Sequence, residues 1–155
     1  MINLLNFNKA SALAFCAHYK ILIAEDDDLT RKHEQELVKE NVKANFPTDT
    51  FEVAGAATVP EAEKIIKNPE TRPDILLTDG NISNGGDIKN PDGPKLAKFA
   101  EEKGVNKKNI AVVSNDTYYA KNAAVANGYK FVDKCQFLFK PTLLDSFFKS
   151  IIKPN

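Results

Sequence analysis

The chain has no tryptophan and only two cysteines and two histidines. Cys16 and Cys135 lie far apart and show no metal-ligand spacing, so neither a disulfide framework nor a structural zinc site is expected. They read as reduced thiols of a cytoplasmic protein. His18 and His33 are too few for a histidine-rich metal centre, and His33 falls on the polar side of a helix. Arginine is also scarce, with Arg31 and Arg72 alone. The other basic residues are lysines, which lack the planar fork that reads phosphates and bases. Lys+Arg and Asp+Glu both total 21, so no overall field draws the chain to nucleic acid. No apolar run approaches the length of a membrane span.

What is present is ordinary for a soluble domain: 155 residues, 43% hydrophobic and 27% charged. Residues 1–19 form an N-terminal extension of unassigned role, rich in leucine and phenylalanine and with a single lysine, Lys9. Leu13-Ala14-Phe15-Cys16 faintly suggests a lipoprotein cleavage box. Phe15 is too large where a small residue is wanted, however, and the positive n-region is weak.

From Lys20 onward short apolar runs alternate with helix-like stretches. Strands are expected at Lys20–Ala24, Phe51–Ala57, Asp74–Thr78, Ile110–Val113 and Phe137–Phe139. Helices are expected at Leu29–Phe46, Pro60–Lys67, Pro94–Lys103, Tyr118–Asn127 and Thr142–Ile152. Thr58 stands three residues before Glu61, a capping-box start, while Gly104 and Gly128 supply helix stops. In the last helix Leu143, Leu144, Phe147, Phe148, Ile151 and Ile152 recur as pairs every four residues, a continuous core-facing stripe. Strands of nearly unbroken apolar character separated by helices predict one α/β domain over residues 20–155. It would be a doubly wound, five-stranded parallel sheet flanked by helices on both faces.

In such a sheet ligands bind beyond the carboxyl ends of the strands, where the strand order reverses. Glu25, Asp26, Asp27 and Asp28 follow the first strand, Asp79 the third and Ser114 the fourth. Lys140-Pro141 follows the expected fifth. Carboxylates crowded into one volume repel one another and favour a hard divalent cation such as Mg²⁺. Asp26 and Asp79 suit direct coordination, and Glu25 a coordinated water. With the acids partly neutralised, a carboxylate oxygen of Asp79 could attack the phosphorus of an anionic donor. Ser114 and the Lys140 ammonium would hold the remaining phosphoryl oxygens. Asp28 is expected to cap the first helix and Asp27 to tune metal affinity.

These segments, Ile21-Leu-Ile-Ala-Glu25-Asp26, Asp74-Ile-Leu-Leu-Thr-Asp79-Gly-Asn81, Val112-Val-Ser114 and Phe139-Lys140-Pro141, resemble the receiver domain of two-component response regulators. The resemblance spans Lys20 to about Ile152. It implies the flavodoxin-like receiver fold and Mg²⁺ held by Glu25, Asp26 and Asp79, with a backbone carbonyl of Asn81. Phosphorylation of Asp79 by a histidine kinase or phosphotransfer protein, with Ser114 and Lys140 assisting, is implied as well. So is a Lys-Pro bond that is usually cis. Phe137, three residues before Lys140, falls where the family has a switch aromatic, though packing in a strand would explain it equally. The implied output is a contact with a downstream protein target, with homodimer formation left open. Such a switch is no enzyme beyond its own phosphorylation and dephosphorylation.

The chain departs from the family in its loops. Asp92-Gly93 matches the usual opening of the third helix, yet Gly93 stands 14 residues beyond Asp79, several more than usual. The polar, glycine-rich Ser83–Asn90 fills the difference, and Ser83 replaces a common proline. The stretch Tyr129–Gln136 is also long. Tyr118 and Tyr119 flank the fourth helix as partner surface or as core cover. An aspartate-nucleophile phosphatase would need a second carboxylic acid two residues after Asp79, and Asn81 donates no proton in that way. A nucleotide-hydrolysing switch would need a Gly-x-x-x-x-Gly-Lys loop where the acids stand. The remaining alternative, a receiver-like module that binds partners without phosphorylation, leaves the set of acids, hydroxyl and lysine without a use.

Overall fold

Ile21–Ala24 and Ile75–Leu77 are buried on both faces of a sheet, which explains why they read as unbroken apolar runs rather than as alternating ones. The computed structural model describes residues 16–83, 86–140 and 142–152. Five strands pair in parallel in the order β2-β1-β3-β4-β5. They are β1 His18–Ala24, β2 Thr50–Ala56, β3 Ile75–Asp79, β4 Ile110–Ser114 and β5 Lys130–Asp133. Six α-helices accompany them: α1 Asp28–Asn45, α2 Val59–Lys67, α3 Asp92–Glu102, α4 Tyr119–Ala126, α5 Lys134–Phe139 and α6 Thr142–Ile151. The flavodoxin-like architecture expected from the sequence is the one observed.

Alternate residues of each strand feed two cores. Ile21, Ile23, Ile75, Leu77, Val113 and Val132 pack against Val38 and Val42 of α1, Phe46 just past its end, and Leu144, Phe147 and Phe148 of α6. Leu22, Leu76, Ile110 and Val112 face Ala62 and Ile66 of α2, Leu96 and Ala97 of α3, and Ala124 of α4. The stripe on α6 is therefore core, as its spacing predicts.

Local signals position the helices. Thr58 accepts from the Glu61 N–H at 3.3 Å, and the Glu61 carboxylate reaches back to the Ala57 N–H at 2.8 Å. Gly104 and Gly128 end α3 and α4 with φ of 103° and 77°, a region that costs other residues strain. The cap of α1 is Asp27, whose carboxylate accepts from the Thr30 N–H at 2.7 Å. This corrects the expectation for Asp28, which instead pairs along the helix with Arg31 and Lys32.

The fifth strand also differs from expectation. Phe137–Phe139 is helical, in α5, and the sheet is completed by Lys130–Asp133. As an edge strand β5 has one neighbour and buries only Val132, so it lacks the apolar run that marks the inner strands. Asp133 then caps α5, accepting from the Gln136 N–H at 3.1 Å. Residues 1–15 of the N-terminal extension, residues 84 and 85 of the long loop, and Pro141 with its bond to Lys140 lie outside the described residues. His18 and Tyr19 already belong to β1.

Gly93 holds the first turn of α3 against the end of β3. A Cβ there would lie 1.8 Å from the Asp79 carbonyl oxygen, and the Gly93 N–H donates to the Gly80 carbonyl at 3.0 Å. Gly93→Ala must move backbone, not a flexible side chain. It is expected to destabilise the protein by about 1–3 kcal/mol in urea denaturation; an unchanged midpoint would contradict this contact.

Candidate functional site

The chain reverses direction across the sheet between β1 and β3, and Ala24 is in register with Thr78. The next residue on each strand is an acid, so Glu25 and Asp79 emerge side by side at the carboxyl edge. Asp26 joins them. Each of Glu25, Asp26 and Asp79 offers a carboxylate oxygen, and the three oxygens lie within 4.8 Å of one another. Glu25 is buried and the other two are half-buried.

A lysine stands between two of these acids, and it is Lys134. Its Nζ lies 2.6 Å from Glu25 Oε2 and 2.6 Å from Asp79 Oδ1. Lys140, the lysine expected here, is exposed and ends α5. The reason follows from β5: the chain leaves the sheet at Asp133, so the residue that points over the carboxyl edge is the next one. A signal was available in the sequence. Gly128 closes α4, so Tyr129–Asp133 is the first run able to form a strand, and Asp133 stands three residues before Gln136 as a cap.

Burial dominates the electrostatics. It pushes the carboxyls of Glu25 and Asp79 upward against the opposing pull of the Lys134 ammonium. Burial also works against the charge on Lys134, but Asp79 and Glu25 together outweigh it and hold its pKa above the ordinary lysine value. Asp79 Oδ2 accepts the Asn81 N–H at 3.3 Å, and Glu25 Oε1 accepts the Asp27 N–H at 3.2 Å.

Ser114 closes the edge of β4, one residue past Val113, which is in register with Asp79. Its buried hydroxyl oxygen accepts the Asp116 N–H at 3.1 Å. Gly80 lets the two loops approach, since a Cβ there would lie 2.5 Å from Ser114 Oγ. Asp116 in turn accepts from the N–H groups of Tyr118, Tyr119 and Ala120 at 2.9, 2.9 and 3.1 Å, fixing the start of α4. Tyr118 is exposed and meets Tyr119 edge to face at 4.9 Å.

Phe137 is fully buried in the core below, on α5, and so fills no strand position. The aromatic three residues before Lys134 is Phe131, half-buried on β5 and in register with Val112.

One further acid is near the site without having been foreseen. Glu34 lies on α1, 3% exposed, one turn before the core residue Val38, and its Oε1 has no hydrogen-bond partner among the described residues. Burial, reinforced by the charges of Glu25 and Asp79, raises its pKa to about 8. Its spacing, four residues before Val38 and eight before Val42, puts it on the inward face of α1, whereas Glu36 and Glu40 face solvent.

The arrangement gathers three acids, an ammonium and a hydroxyl at one sheet edge. The chemistry open to it is binding of a hard cation and of an anionic group. Among the described residues no helix is long and apolar enough to cross a membrane. No protein-family model and no curated protein matches the sequence. Solved structures do. A DNA-binding response regulator of the LuxR family from Staphylococcus aureus matches with TM-score 0.62 at 19% identity, over 83% of this chain and 98% of that chain. The Mn²⁺-bound form of the response regulator Rcp1 matches with TM-score 0.62 at 15% identity, over 88% of this chain and 99% of that one. The chain thus has the five-stranded fold of response-regulator receiver domains.

Proposed function

We propose that the chain is a phosphorylation switch of two-component signalling, with Asp79 as phosphoacceptor. The observation that carries this reading is the Lys134 ammonium bridging Asp79 and Glu25 at the sheet's switch point. An ion pair this buried is a costly way to stabilise a fold, and it stands where ligands of such sheets bind.

The donor set suits Mg²⁺. Glu25, Asp26 and Asp79 are hard oxygen ligands, and Asn81, two residues past Asp79, would add its carbonyl. The Mn²⁺ of the structurally similar Rcp1 supports a divalent ion here. When bound, the cation would neutralise the acids that otherwise repel an anionic donor. An Asp79 oxygen then attacks phosphorus, the bond from phosphorus to the donor's leaving group breaks, and that group departs with the electron pair. Lys134, in the role the sequence suggested for Lys140, is released from carboxylate to phosphoryl oxygen. Ser114 takes a second phosphoryl oxygen as a hydrogen-bond donor. Phe131, three residues before Lys134 and in register with Val112, would take the switch role that the sequence suggested for Phe137.

A histidine kinase or phosphotransfer protein would supply the phosphoryl group, and a downstream protein, or a second copy of the chain, would read the result. The protein would work in the cytoplasm, with the residues before His18 preceding the receiver domain proper. It would turn over no substrate other than its own phosphate. Incubation with acetyl phosphate and Mg²⁺ is expected to add one phosphate to the intact mass of the wild type and none to Asp79→Asn. Equal labelling of the two would remove Asp79 from the reaction. An unlabelled wild type would leave a partner-binding module that works without phosphorylation.

A further inference from the structure

Arg31 is one of two arginines in the chain, and its side chain is directed back under the acidic loop. Its Nη1 donates to the carbonyl of Glu25 at 2.7 Å and lies 3.5 Å from that of Asp26, while Nη2 bonds the Asp28 carboxylate. Only 14% of the side chain is exposed. The Glu25 N–H is already held by the Ala56 carbonyl at 3.0 Å. The peptide that carries the first acids is therefore fixed on one side by β2 and on the other by a guanidinium.

Gly55 makes the path of this side chain possible. A Cβ on Gly55 would lie 3.0 Å from Arg31 Cδ and 3.3 Å from Cγ, with Gln35 Nε2 at 3.1 Å. β2 is thin where the arginine crosses it.

From this geometry we infer that Arg31 is a positioning residue for the cation site: it sets the Glu25–Asp26 backbone so that both carboxylates converge with Asp79. The inference rests on the metal-binding reading above. Arginine suits the task because its planar fork holds several N–H donors in fixed directions, whereas an ammonium is a compact point charge on a flexible stem. Its positive charge beside the loop also offsets part of the repulsion among the acids before any cation arrives. Groups that orient metal ligands from behind commonly change affinity by about 10–100-fold when removed.

The test is calorimetric titration of Mn²⁺ into the wild type, Arg31→Met, Arg31→Lys and Gly55→Val, with thermal melts recorded on the same samples. Arg31→Met and Gly55→Val are expected to weaken Mn²⁺ binding about tenfold or more while still melting cooperatively. Arg31→Lys, which keeps the charge but loses the planar fork, should recover part of the affinity, and it carries the comparison if Arg31→Met does not fold. A merely structural role would lower the melting temperature and leave the affinity of the folded fraction unchanged. Wild type that binds Mn²⁺ alongside Arg31→Met and Arg31→Lys that bind it equally well would overturn the role of Arg31 alone. Wild type that does not bind Mn²⁺ would overturn the cation site, and this inference with it.

Discussion

Lys134→Met is expected to destabilise the protein by about 3–5 kcal/mol at pH 8, because it leaves two buried carboxylates without their shared cation. Glu25 and Asp79 both contact this ammonium at 2.6 Å, and their side chains are 3% and 12% exposed. Each already has a raised pKa from burial, and losing Lys134 raises it further. The sign of the pH effect follows. An acid whose folded pKa lies above its unfolded value keeps a proton that the unfolded chain gives up, so stability falls as pH rises through that interval. The damage should therefore shrink toward pH 5, where the two carboxyls can take up protons. Lys140→Met, at an exposed helix end, is expected to change stability by less than about 0.5 kcal/mol. Urea denaturation of both variants at pH 5 and pH 8 checks the assignment, and equal losses at the two lysines would count against it.

Replacing Glu34 acts in the opposite direction. This carboxyl is buried, lacks a partner on Oε1 among the described residues, and has its pKa raised from 4.5 to about 8. Between those values the folded protein retains a proton that the unfolded chain releases. Stability should thus be greatest at mildly acidic pH, decline on the way to pH 8, and level off above. Glu34→Leu removes this titration along with an unsatisfied polar atom. It is expected to gain about 1–3 kcal/mol at pH 8 and to gain less at pH 5, where the native acid is already neutral. Glu34→Gln keeps the shape without the titration and should flatten the same part of the curve. Wild-type and Glu34→Leu stability curves that run parallel from pH 5 to pH 8 would show that Glu34 does not titrate there. A residual slope in the same direction is expected from Glu25 and Asp79.

The contrast between these two residues shows what an amino-acid sequence exposes and what it hides. β1, β3 and β4 are legible because both of their faces are buried, so every residue must be apolar. The acids that follow β1 and β3 are legible because the sheet's geometry sends whatever follows a strand to the ligand-binding edge. β5 has a single neighbour and buries Val132 alone, so its pattern, Lys-Phe-Val-Asp, looks like a turn. The more apolar Phe137-Leu138-Phe139 attracts the strand assignment instead, and the error in the strand carries the lysine with it by six positions. Helical periodicity would have placed Phe137 correctly, since its side chain fills the core from α5. Glu34 is hidden for a different reason. A buried acid breaks the rule that polar residues on an amphipathic helix face water, so its residue type conceals what its spacing to Val38 and Val42 indicates. Asp27 and Asp28 are neighbours of identical type, and only the helix geometry distinguishes the one that caps from the one that pairs along the helix.

The clamp beneath the β3–α3 connection has a consequence for how this segment could vary. The Asp92 carboxylate accepts from the Ile82 N–H at 2.7 Å and the Ser83 N–H at 3.1 Å, and Gly93 is seated against Asp79 and Gly80. The two feet of the connection are thereby tied to each other, and the stretch Asp87–Asn90 between them is exposed. The length of the connection is decoupled from the geometry around Asp79, because lengthening a loop whose ends are already joined adds little closure entropy. Peptide tags grafted into this exposed stretch are then expected to leave the surroundings of Asp79 undisturbed, which makes it a natural port for added sequence.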